Sequence, residues 1–176
     1  MNTPEWRRRL RRLHTLGPAG TNLEAAALAY AEGTGPTVDV VLHTAIEEAL
    51  DEPVLDGTHA IVACAVYPDL HTLVFSNLHR LRMVDSFLMP THNMVLAART
   101  EAQPRTVATH PAPAQLVADR DRTLVTSNSQ AAIDCANGLV EGCVTTIVAA
   151  RRHRLHVLTD FGPVPMIFTV HLLSAS

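Results

Sequence analysis

Short apolar runs of β-strand length recur along the chain, and the segments between them have the composition of helices and turns. The nearly continuous run from His59 to Ala65 is typical of a strand buried on both faces of a parallel sheet. Further strands are predicted at residues 13–16, 38–42, 106–109, 123–126, 156–158 and 167–170, and residues 81–98 predict one or two strands interrupted near Pro90.

Helical segments alternate with these strands. They are predicted from Thr21 to about Tyr30 and at residues 43–50, 70–78, 110–117, 131–137 and 149–153. The alternation of strands and helices through most of the chain predicts the α/β class.

The length of 176 residues suits one domain or two small lobes that share a fold. Residues 1–12 contain five arginines and predict an exposed basic arm, whereas residues 13–176 predict a single domain. The character of the sequence changes after Arg80. We therefore expect a first lobe at about residues 13–80 plus 157–176 and a second lobe at about residues 81–156.

Composition narrows the range of functions. Aromatic residues make up 4% of the chain and its net charge is −3, which argues against nucleic-acid binding. The chain contains 14 arginines and no lysine, which excludes lysine Schiff-base chemistry and pyridoxal phosphate. No apolar run approaches the roughly 20 residues of a membrane span. The histidines and cysteines lack metal-ligand spacing, so we expect no metal and no cofactor.

The three cysteines, Cys64, Cys135 and Cys143, each lie in an apolar run. Buried thiols in a reducing, cytoplasmic setting are the simplest interpretation. As partner we expect a small carboxylate, with neither nucleic acid nor membrane, and the sequence is compatible with a homodimer.

A glycine-rich turn joins the first strand to the first helix, at Gly17-Pro18-Ala19-Gly20. Thr21 or Asn22 can cap this helix, and Glu24, three residues after Thr21, has the spacing of a capping box. A helix start presents backbone N–H groups that attract a carboxylate or phosphate. Gly20, Thr21 and Asn22 are therefore candidates for carboxylate binding, with ordinary helix capping as the alternative.

A second helix start lies in the other half of the chain, at Ser127, Asn128 and Ser129. Two lobes that face each other, each with a helix start, predict a cleft for a small anion with two acidic groups. We expect Ser127, Asn128 and Ser129 to form the opposite wall of that cleft.

Four short segments follow one another in the order of a known family: Leu16-Gly17-Pro18-Ala19-Gly20-Thr21, Thr109-His110-Pro111, Ser127-Asn128-Ser129-Gln130-Ala131-Ala132 and Cys143-Val144-Thr145-Thr146. In order and content they resemble the prephenate dehydratases. The resemblance implies the two-lobed type II periplasmic-binding-protein fold of that family's catalytic domain. Because the chain ends at Ser176, we expect it to lack the family's regulatory domain.

Two segments depart from the dehydratase pattern. Ala63-Cys64-Ala65-Val66-Tyr67 stands where the family has Pro-Ile-Glu-Asn-Ser, and Pro165-Met166-Ile167 stands where it has Thr-Arg-Phe. In the family this threonine protonates the departing hydroxyl and the arginine binds a carboxylate.

The prephenate decarboxylases of bacilysin-type biosynthesis are more similar. The matching segments are Thr15–Thr21, His110–Pro113 and Val164-Pro165-Met166. This resemblance implies that prephenate loses CO2 and keeps its hydroxyl, giving a non-aromatic dihydro-4-hydroxyphenylpyruvate in natural-product biosynthesis.

Candidate residues for this carbon–carbon lyase activity come from both halves of the chain. His110, Tyr67 and Cys64 are candidate proton donors, with bound water as the alternative. Ala65, Pro165 and Met166 are expected to contact the substrate from an apolar wall.

Arg99 is a candidate replacement for the missing carboxylate-binding arginine. Two other functions stay open: a related dehydratase, cyclase or isomerase acting on another small carboxylate, and a non-enzymatic protein that binds a small carboxylate.

Overall fold

The computed structural model describes residues 3–34, 38–51, 56–67 and 69–174, which form two compact units. Unit 1 contains the described residues up to Met89 and from Pro165 onward, and unit 2 runs from Pro90 to Val164. Each unit has its own five-stranded sheet with flanking helices. The predicted α/β class is confirmed.

Unit 1 is a mixed sheet with the strand order β2-β1-β3-β10-β4. Its elements are α1 (Glu5–Arg9), β1 (Arg12–Leu16), α2 (Asn22–Glu32), β2 (Asp39–His43), a 3-10 helix (Ile46–Asp51), β3 (Asp56–Cys64), α3 (Leu70–Ser76), β4 (Leu81–Pro90) and β10 (Pro165–Ser174). The strands β2, β1 and β3 are parallel, and β10 runs antiparallel to β3.

Unit 2 is also a mixed sheet, with the strand order β7-β6-β8-β5-β9. Its elements are β5 (Met94–Ala98), β6 (Thr106–Thr109), a 3-10 helix (Ala114–Val117), β7 (Asp121–Leu124), α4 (Asn128–Ala136), β8 (Gly142–Thr146), α5 (Ile147–Arg152) and β9 (His156–Gly162). The strands β6, β7 and β8 are parallel, and β5 runs antiparallel to β8.

The central strands of each sheet are buried on both faces, as their continuous apolar runs predict. In unit 1, alternate residues of β3 pack against α2 on one face and against the 3-10 helix Ile46–Asp51 on the other. In unit 2, alternate residues of the sheet pack against α4 on one face and against the 3-10 helix Ala114–Val117 on the other.

The division of the chain differs from the predicted one. The boundaries lie at Met89–Pro90 and Val164–Pro165, later than the predicted Arg80 and residue 157. The strand β4 belongs to unit 1 because it contributes to that core: the ring of Phe87 stacks between Tyr30 and Phe168, at centroid distances of 5.1 and 5.6 Å.

The basic N-terminal segment also differs from the predicted exposed arm. Residues 5–9 form α1, and Leu10 is buried in the core of unit 1. The Arg7 guanidinium lies over the Tyr30 ring, 4.6 Å from its centroid, and pairs with Asp85. Packing of Leu10 and Arg7 therefore holds the segment against the sheet.

Two predicted helices are shorter and have 3-10 geometry. The predicted helix 43–50 is reduced to residues 46–51, because His43 extends β2 by pairing with Leu16. The predicted helix 110–117 is reduced to residues 114–117. Pro111 and Pro113 disfavour helical geometry in the residues before them, so no α-helix forms there.

Candidate functional site

The predicted site residues of unit 1 lie at one edge of its sheet. The strands β1, β2 and β3 are parallel, so their carboxyl ends meet at this edge, where open α/β sheets bind ligands. The pairing of Phe168 with Cys64 brings the first residues of β10 to the same edge. This edge collects Gly20, Thr21, Asn22, Cys64, Ala65, Tyr67, Pro165 and Met166.

The start of α2 is capped by its own residues. The Thr21 hydroxyl oxygen accepts the Glu24 N–H at 3.2 Å, and the Thr21 O–H donates to the Leu16 carbonyl at 3.4 Å. The Glu24 carboxylate accepts the N–H of Gly20, whose φ of +89° is one that glycine adopts without strain. A carboxylate of the protein itself thus already lies at the positive end of α2.

The rest of this edge carries weak acids and apolar groups. The Tyr67 N–H donates to the Cys64 carbonyl at 2.9 Å in the turn after β3. Burial raises the pKa of the Cys64 thiol, and burial together with Glu47 and Asp69 raises the pKa of the Tyr67 phenol. Both groups are therefore protonated at neutral pH and are poor proton donors.

Met166 packs against the core of unit 1, while Ala65 and Pro165 are exposed. The three side chains present an apolar surface and no acidic proton.

The corresponding edge of unit 2 collects His110, Ser127, Asn128 and Ser129. The strands β6, β7 and β8 are parallel and end here, and the Val125 N–H donates to the Thr109 carbonyl at 3.0 Å. The connection after β6 packs on one face of the sheet, whereas α4, which follows β7, packs on the other. Connections that leave in opposite directions mark the switch point where α/β sheets bind ligands.

The start of α4 is capped but carries no carboxylate. The Ser127 hydroxyl oxygen accepts the Gln130 N–H at 3.0 Å and, within the described ranges, makes no second hydrogen bond. No acidic residue lies in the first turn of α4. The Asn128 carbonyl accepts the Thr145 hydroxyl at 2.6 Å, and Ser129 is buried. The start of α4 is therefore anchored, and no acidic residue of its own first turn neutralises its positive end.

Asn128 adds an unsatisfied acceptor at this helix start. Its Nδ2 lies 4.0 Å from Met94 Sδ, and its Oδ1 is buried without a hydrogen-bond partner among the described residues. A buried oxygen without a partner is uncommon and is satisfied by any donor that reaches it.

His110 follows β6 at the same edge and is partly buried. Its Nδ1 accepts the Ala112 N–H at 3.2 Å, which leaves the proton of the neutral imidazole on Nε2. Burial lowers the pKa of His110. The ring is therefore mainly neutral at pH 7, and it gains a second proton, which it can donate, only at lower pH.

Arg99 does not join this group. It follows β5 at the end opposite Met94, and its guanidinium lies against Gly138, just beyond the last residue of α4. A methyl group on Gly138 would collide with this guanidinium. The nine residues of α4 span about 13 Å, so Arg99 and Ser127 lie at opposite ends of the helix. Arg99 complements the negative end of α4 instead.

Sequence reasoning missed two polar contacts at the edge of unit 2. Thr145 anchors Asn128, and Asn93 donates to both oxygens of the Asp160 carboxylate, at 3.1 and 2.9 Å. Hydrogen bonds from Asn93 and the Gly162 N–H lower the pKa of Asp160. The partners are far apart in the sequence, so only the packing of α4 against β8 and the pairing of β5 with β9 could have indicated them.

The described residues contain neither a metal site nor a membrane-spanning helix. No group of three His, Cys, Asp or Glu side chains among residues 3–34, 38–51, 56–67 and 69–174 has the geometry to hold a metal ion. In the same part of the chain, no helix has the length and apolar character needed to cross a membrane.

Similarity to known proteins is found in the structure and not by matching the sequence. No family model matches the sequence, and no curated protein matches it. The chain does superpose on prephenate dehydratase from Arthrobacter aurescens in complex with L-Phe, with a TM-score of 0.67 and 18% identity over 94% of this chain. It spans 61% of the length of that dehydratase. The chain has the fold of a prephenate dehydratase catalytic domain.

Two other structures show how widely this fold is used. GqqA, a quorum-quenching acylase, matches with a TM-score of 0.63 and 18% identity over 94% of this chain and 65% of its own. The substrate-binding domain of a molybdenum ABC transporter from Clostridium difficile matches with a TM-score of 0.52 and 10% identity over 94% and 85%. The predicted two-lobed, type II periplasmic-binding-protein-like fold is therefore confirmed, and the fold alone does not specify an activity.

Proposed function

We propose that the chain binds a small carboxylate at the start of α4 and decarboxylates prephenate without aromatising it. The supporting observation is the combination, at one edge of unit 2, of a helix start without an acidic residue and the partly buried imidazole of His110. The first supplies N–H donors and a positive potential for a carboxylate. The second supplies an imidazole whose protonated form, populated as the pH falls below neutral, can donate a proton.

The proposed reaction balances with one proton. The bond between the ring carbon and its carboxylate breaks, CO2 leaves, and the electron pair moves into one of the two adjacent ring double bonds. A proton adds to the far carbon of that double bond, and the hydroxyl is retained. Prephenate dianion and one proton thus give CO2 and the dihydro-4-hydroxyphenylpyruvate anion.

Retention of the hydroxyl is supported by Pro165 and Met166. Dehydration requires an acid at the hydroxyl, because hydroxide is a poor leaving group. The resemblance aligns Pro165-Met166 with the Thr-Arg pair of dehydratases, and neither proline nor methionine can donate a proton. Met166 is also packed against the core of unit 1.

Three residues are proposed as proton sources, and the observed environments rank them. Protonated His110 is the strongest acid, because burial lowers its pKa. Cys64 and Tyr67 are weaker acids, because burial raises their pKa values. We also propose that the protein acts in the cytoplasm on a soluble metabolite and that it needs no cofactor.

A binding protein without catalytic activity is the second candidate. It is favoured by the same weak acids, since a neutral His110, Cys64 and Tyr67 would leave a bound carboxylate unchanged at neutral pH. The transporter domain with this fold is a binding module and the acylase is an enzyme, so the fold is compatible with either function.

The test is to incubate the purified chain with prephenate and to measure CO2 and the product by NMR and mass spectrometry. We expect one CO2 per prephenate and a product that keeps the ring hydroxyl. Phenylpyruvate, formed faster than in a protein-free control, would instead show a dehydratase. Binding by calorimetry without CO2 release would show a binding protein, and neither binding nor turnover would overturn both proposals.

A further inference from the structure

Two cysteine thiols of unit 2 contact each other between α4 and the sheet. Cys135 lies in the last turn of α4 and Cys143 in β8, and both side chains are completely buried in the same core. The Cys143 thiol is hydrogen-bonded to the Cys135 sulfur. The Cys135 S–H in turn donates to the Glu141 carbonyl at 3.6 Å. The proposed carboxylate site lies at the other end of α4 and does not use this thiol pair.

The register of β5 and β8 brings a cation to the same place. Ala97 pairs with Cys143, and Arg99 lies two residues further along the chain. Alternate residues of an extended chain face the same side, so Arg99 is directed toward α4, as Ala97 is. The Arg99 N–H donates to the Cys135 sulfur, and the Arg99 guanidinium lies against Gly138. A thiol donor, a backbone donor and a positive charge therefore surround one sulfur.

These contacts give the two thiols opposite acidities. The hydrogen bond from Cys143, together with the charge and the N–H of Arg99, lowers the pKa of Cys135 despite its burial. The hydrogen bond to Cys135, together with burial, raises the pKa of Cys143. Because the thiolate is the reactive form of cysteine, Cys135 is the nucleophile of the pair, and Cys143 keeps its proton.

The end of α4 gives a small molecule a route to the pair. Asn137, Gly138 and Leu139 are exposed, and they begin two residues after Cys135. Helix ends open at a lower free energy than the core does. A molecule close to water in size, such as hydrogen peroxide, therefore reaches the Cys135 sulfur when the last turn of α4 opens, without unfolding of unit 2.

We propose that Cys135 and Cys143 form a peroxide-sensitive dithiol that closes to a disulfide between α4 and β8 and reopens with thiol reductants. The proposal is independent of the proposed function, because it requires no ligand at the start of α4.

The oxidation balances in two steps. The Cys135 thiolate attacks one oxygen of hydrogen peroxide, the O–O bond breaks, and hydroxide leaves with its electron pair, giving the sulfenic acid of Cys135. The Cys143 sulfur then attacks the Cys135 sulfur, the S–O bond breaks, and the Cys143 proton leaves with this hydroxyl as water. The proton first lost by Cys135 neutralises the hydroxide of the first step. The two thiols are oxidised to a disulfide, and hydrogen peroxide is reduced to water.

Peptide mass spectrometry of the unmodified chain tests the proposal. The chain is treated with hydrogen peroxide, denatured, alkylated without reductant and cut with trypsin. Both thiols then lie on the peptide 123–151, because no lysine or arginine lies between Arg122 and Arg151, and Cys64 lies on another peptide. We expect peptide 123–151 to lose two hydrogen atoms and to escape alkylation, and dithiothreitol to reverse both changes. Alkylation of both thiols of this peptide, while Cys64 is oxidised, would overturn the proposal.

A matched pair of serine variants tests which thiol attacks the peroxide. Serine keeps a group that donates and accepts hydrogen bonds. With peroxide and dimedone, which traps sulfenic acids, Cys143→Ser should be labelled at Cys135, whereas Cys135→Ser should not be labelled at Cys143. Labelling at Cys143 instead, or at neither thiol, would contradict the proposal. If either variant does not fold, the peptide masses of the unmodified chain decide alone.

A second matched pair tests the contribution of the cation. Arg99→Gln keeps the backbone N–H but removes the charge, so oxidation of Cys135 by peroxide at pH 7 should slow about threefold for each unit by which the pKa of Cys135 rises. Arg151→Gln, at an exposed position of α5, should leave the rate unchanged. An Arg99→Gln rate equal to that of the unmodified chain would contradict the assignment of Cys135 as a thiol activated by Arg99.

Discussion

The starts of α2 and α4 are built alike but differ in charge. A hydroxyl caps each helix: Thr21 accepts the Glu24 N–H at 3.2 Å, and Ser127 accepts the Gln130 N–H at 3.0 Å. At α2 the residue that follows the cap by three is a glutamate, whose carboxylate accepts the Gly20 N–H. At α4 the same position is a glutamine, and its side chain turns away to donate to Asp134.

The exchange of glutamate for glutamine distinguishes the two helix starts. The start of α2 is occupied by its own carboxylate, whereas the start of α4 is a candidate site for an external anion. At α2 the Gly20 N–H and the positive end of the helix hold the Glu24 carboxylate, so a further carboxylate would meet a like charge. The first turn of α4 contains no acidic residue, and in our proposal its positive end binds the ligand. A motif that predicts anion binding must therefore be examined for an internal carboxylate first.

The largest effect is expected from His110→Gln. Glutamine can still accept the Ala112 N–H but cannot be protonated, so kcat/KM for prephenate should fall by roughly 10²–10⁴-fold. In the unmodified chain kcat/KM should rise as pH falls from 8 toward the lowered pKa of His110, because the donor is the imidazolium. Steady-state kinetics across pH measure both effects, and full activity in His110→Gln would remove His110 from the mechanism.

The next largest effect is expected from Ser127→Ala. Loss of one hydrogen bond to a charged group costs about 1.5–3 kcal/mol, so affinity for prephenate should fall by about 10- to 150-fold. Loss of the cap should also lower the free energy of unfolding by about 1 kcal/mol. Calorimetric binding and thermal unfolding separate the two effects. A loss of stability with unchanged affinity would make Ser127 a cap only.

Structural features that depend on residues close together in the sequence were the most predictable. The caps at Thr21 and Ser127, and the strand at His59–Ala65, depend on neighbouring residues and were visible in the pattern. The role of Glu24 was not visible, because its spacing shows that it can reach back but not that its carboxylate takes the Gly20 N–H.

Features that depend on strand register could not be read from the sequence. Met94 begins β5 and Arg99 follows its last residue, but only the position of α4 shows that the Arg99 guanidinium lies at the C-terminal end of that helix. The hydrogen bonds of His14 with His43 and His59 likewise require the alignment of three strands. The boundary at Met89 depends on the position of Phe87 in the core.

A smaller effect, on stability alone, is expected from Thr21→Ala. Both hydrogen bonds of the Thr21 hydroxyl are made within the chain, so the free energy of unfolding should fall by about 1 kcal/mol while affinity for prephenate stays unchanged. Denaturant unfolding and calorimetry measure the two quantities. A loss of affinity as large as in Ser127→Ala would restore the sequence-based prediction that Thr21 binds the carboxylate.

The smallest effect is expected from Glu24→Gln, which makes the start of α2 resemble that of α4. The amide oxygen can still accept the Gly20 N–H, but the favourable charge at the helix start is lost, so stability should fall by about 0.3–1 kcal/mol. Weak binding of a small carboxylate such as acetate should appear at the α2 amides in NMR. If no new binding appears, the charge of Glu24 is not what prevents the start of α2 from binding a carboxylate.

The most direct test of the account is a titration of the 15N-labelled chain with prephenate, followed through the backbone amides of both helix starts. The account predicts saturable shifts at Ser129 and Gln130 in α4, with smaller or absent shifts at Asn22 and Leu23 in α2. The shifts in α4 should weaken in Ser127→Ala. Saturable shifts confined to α2, or shifts at neither helix at millimolar prephenate, would contradict it.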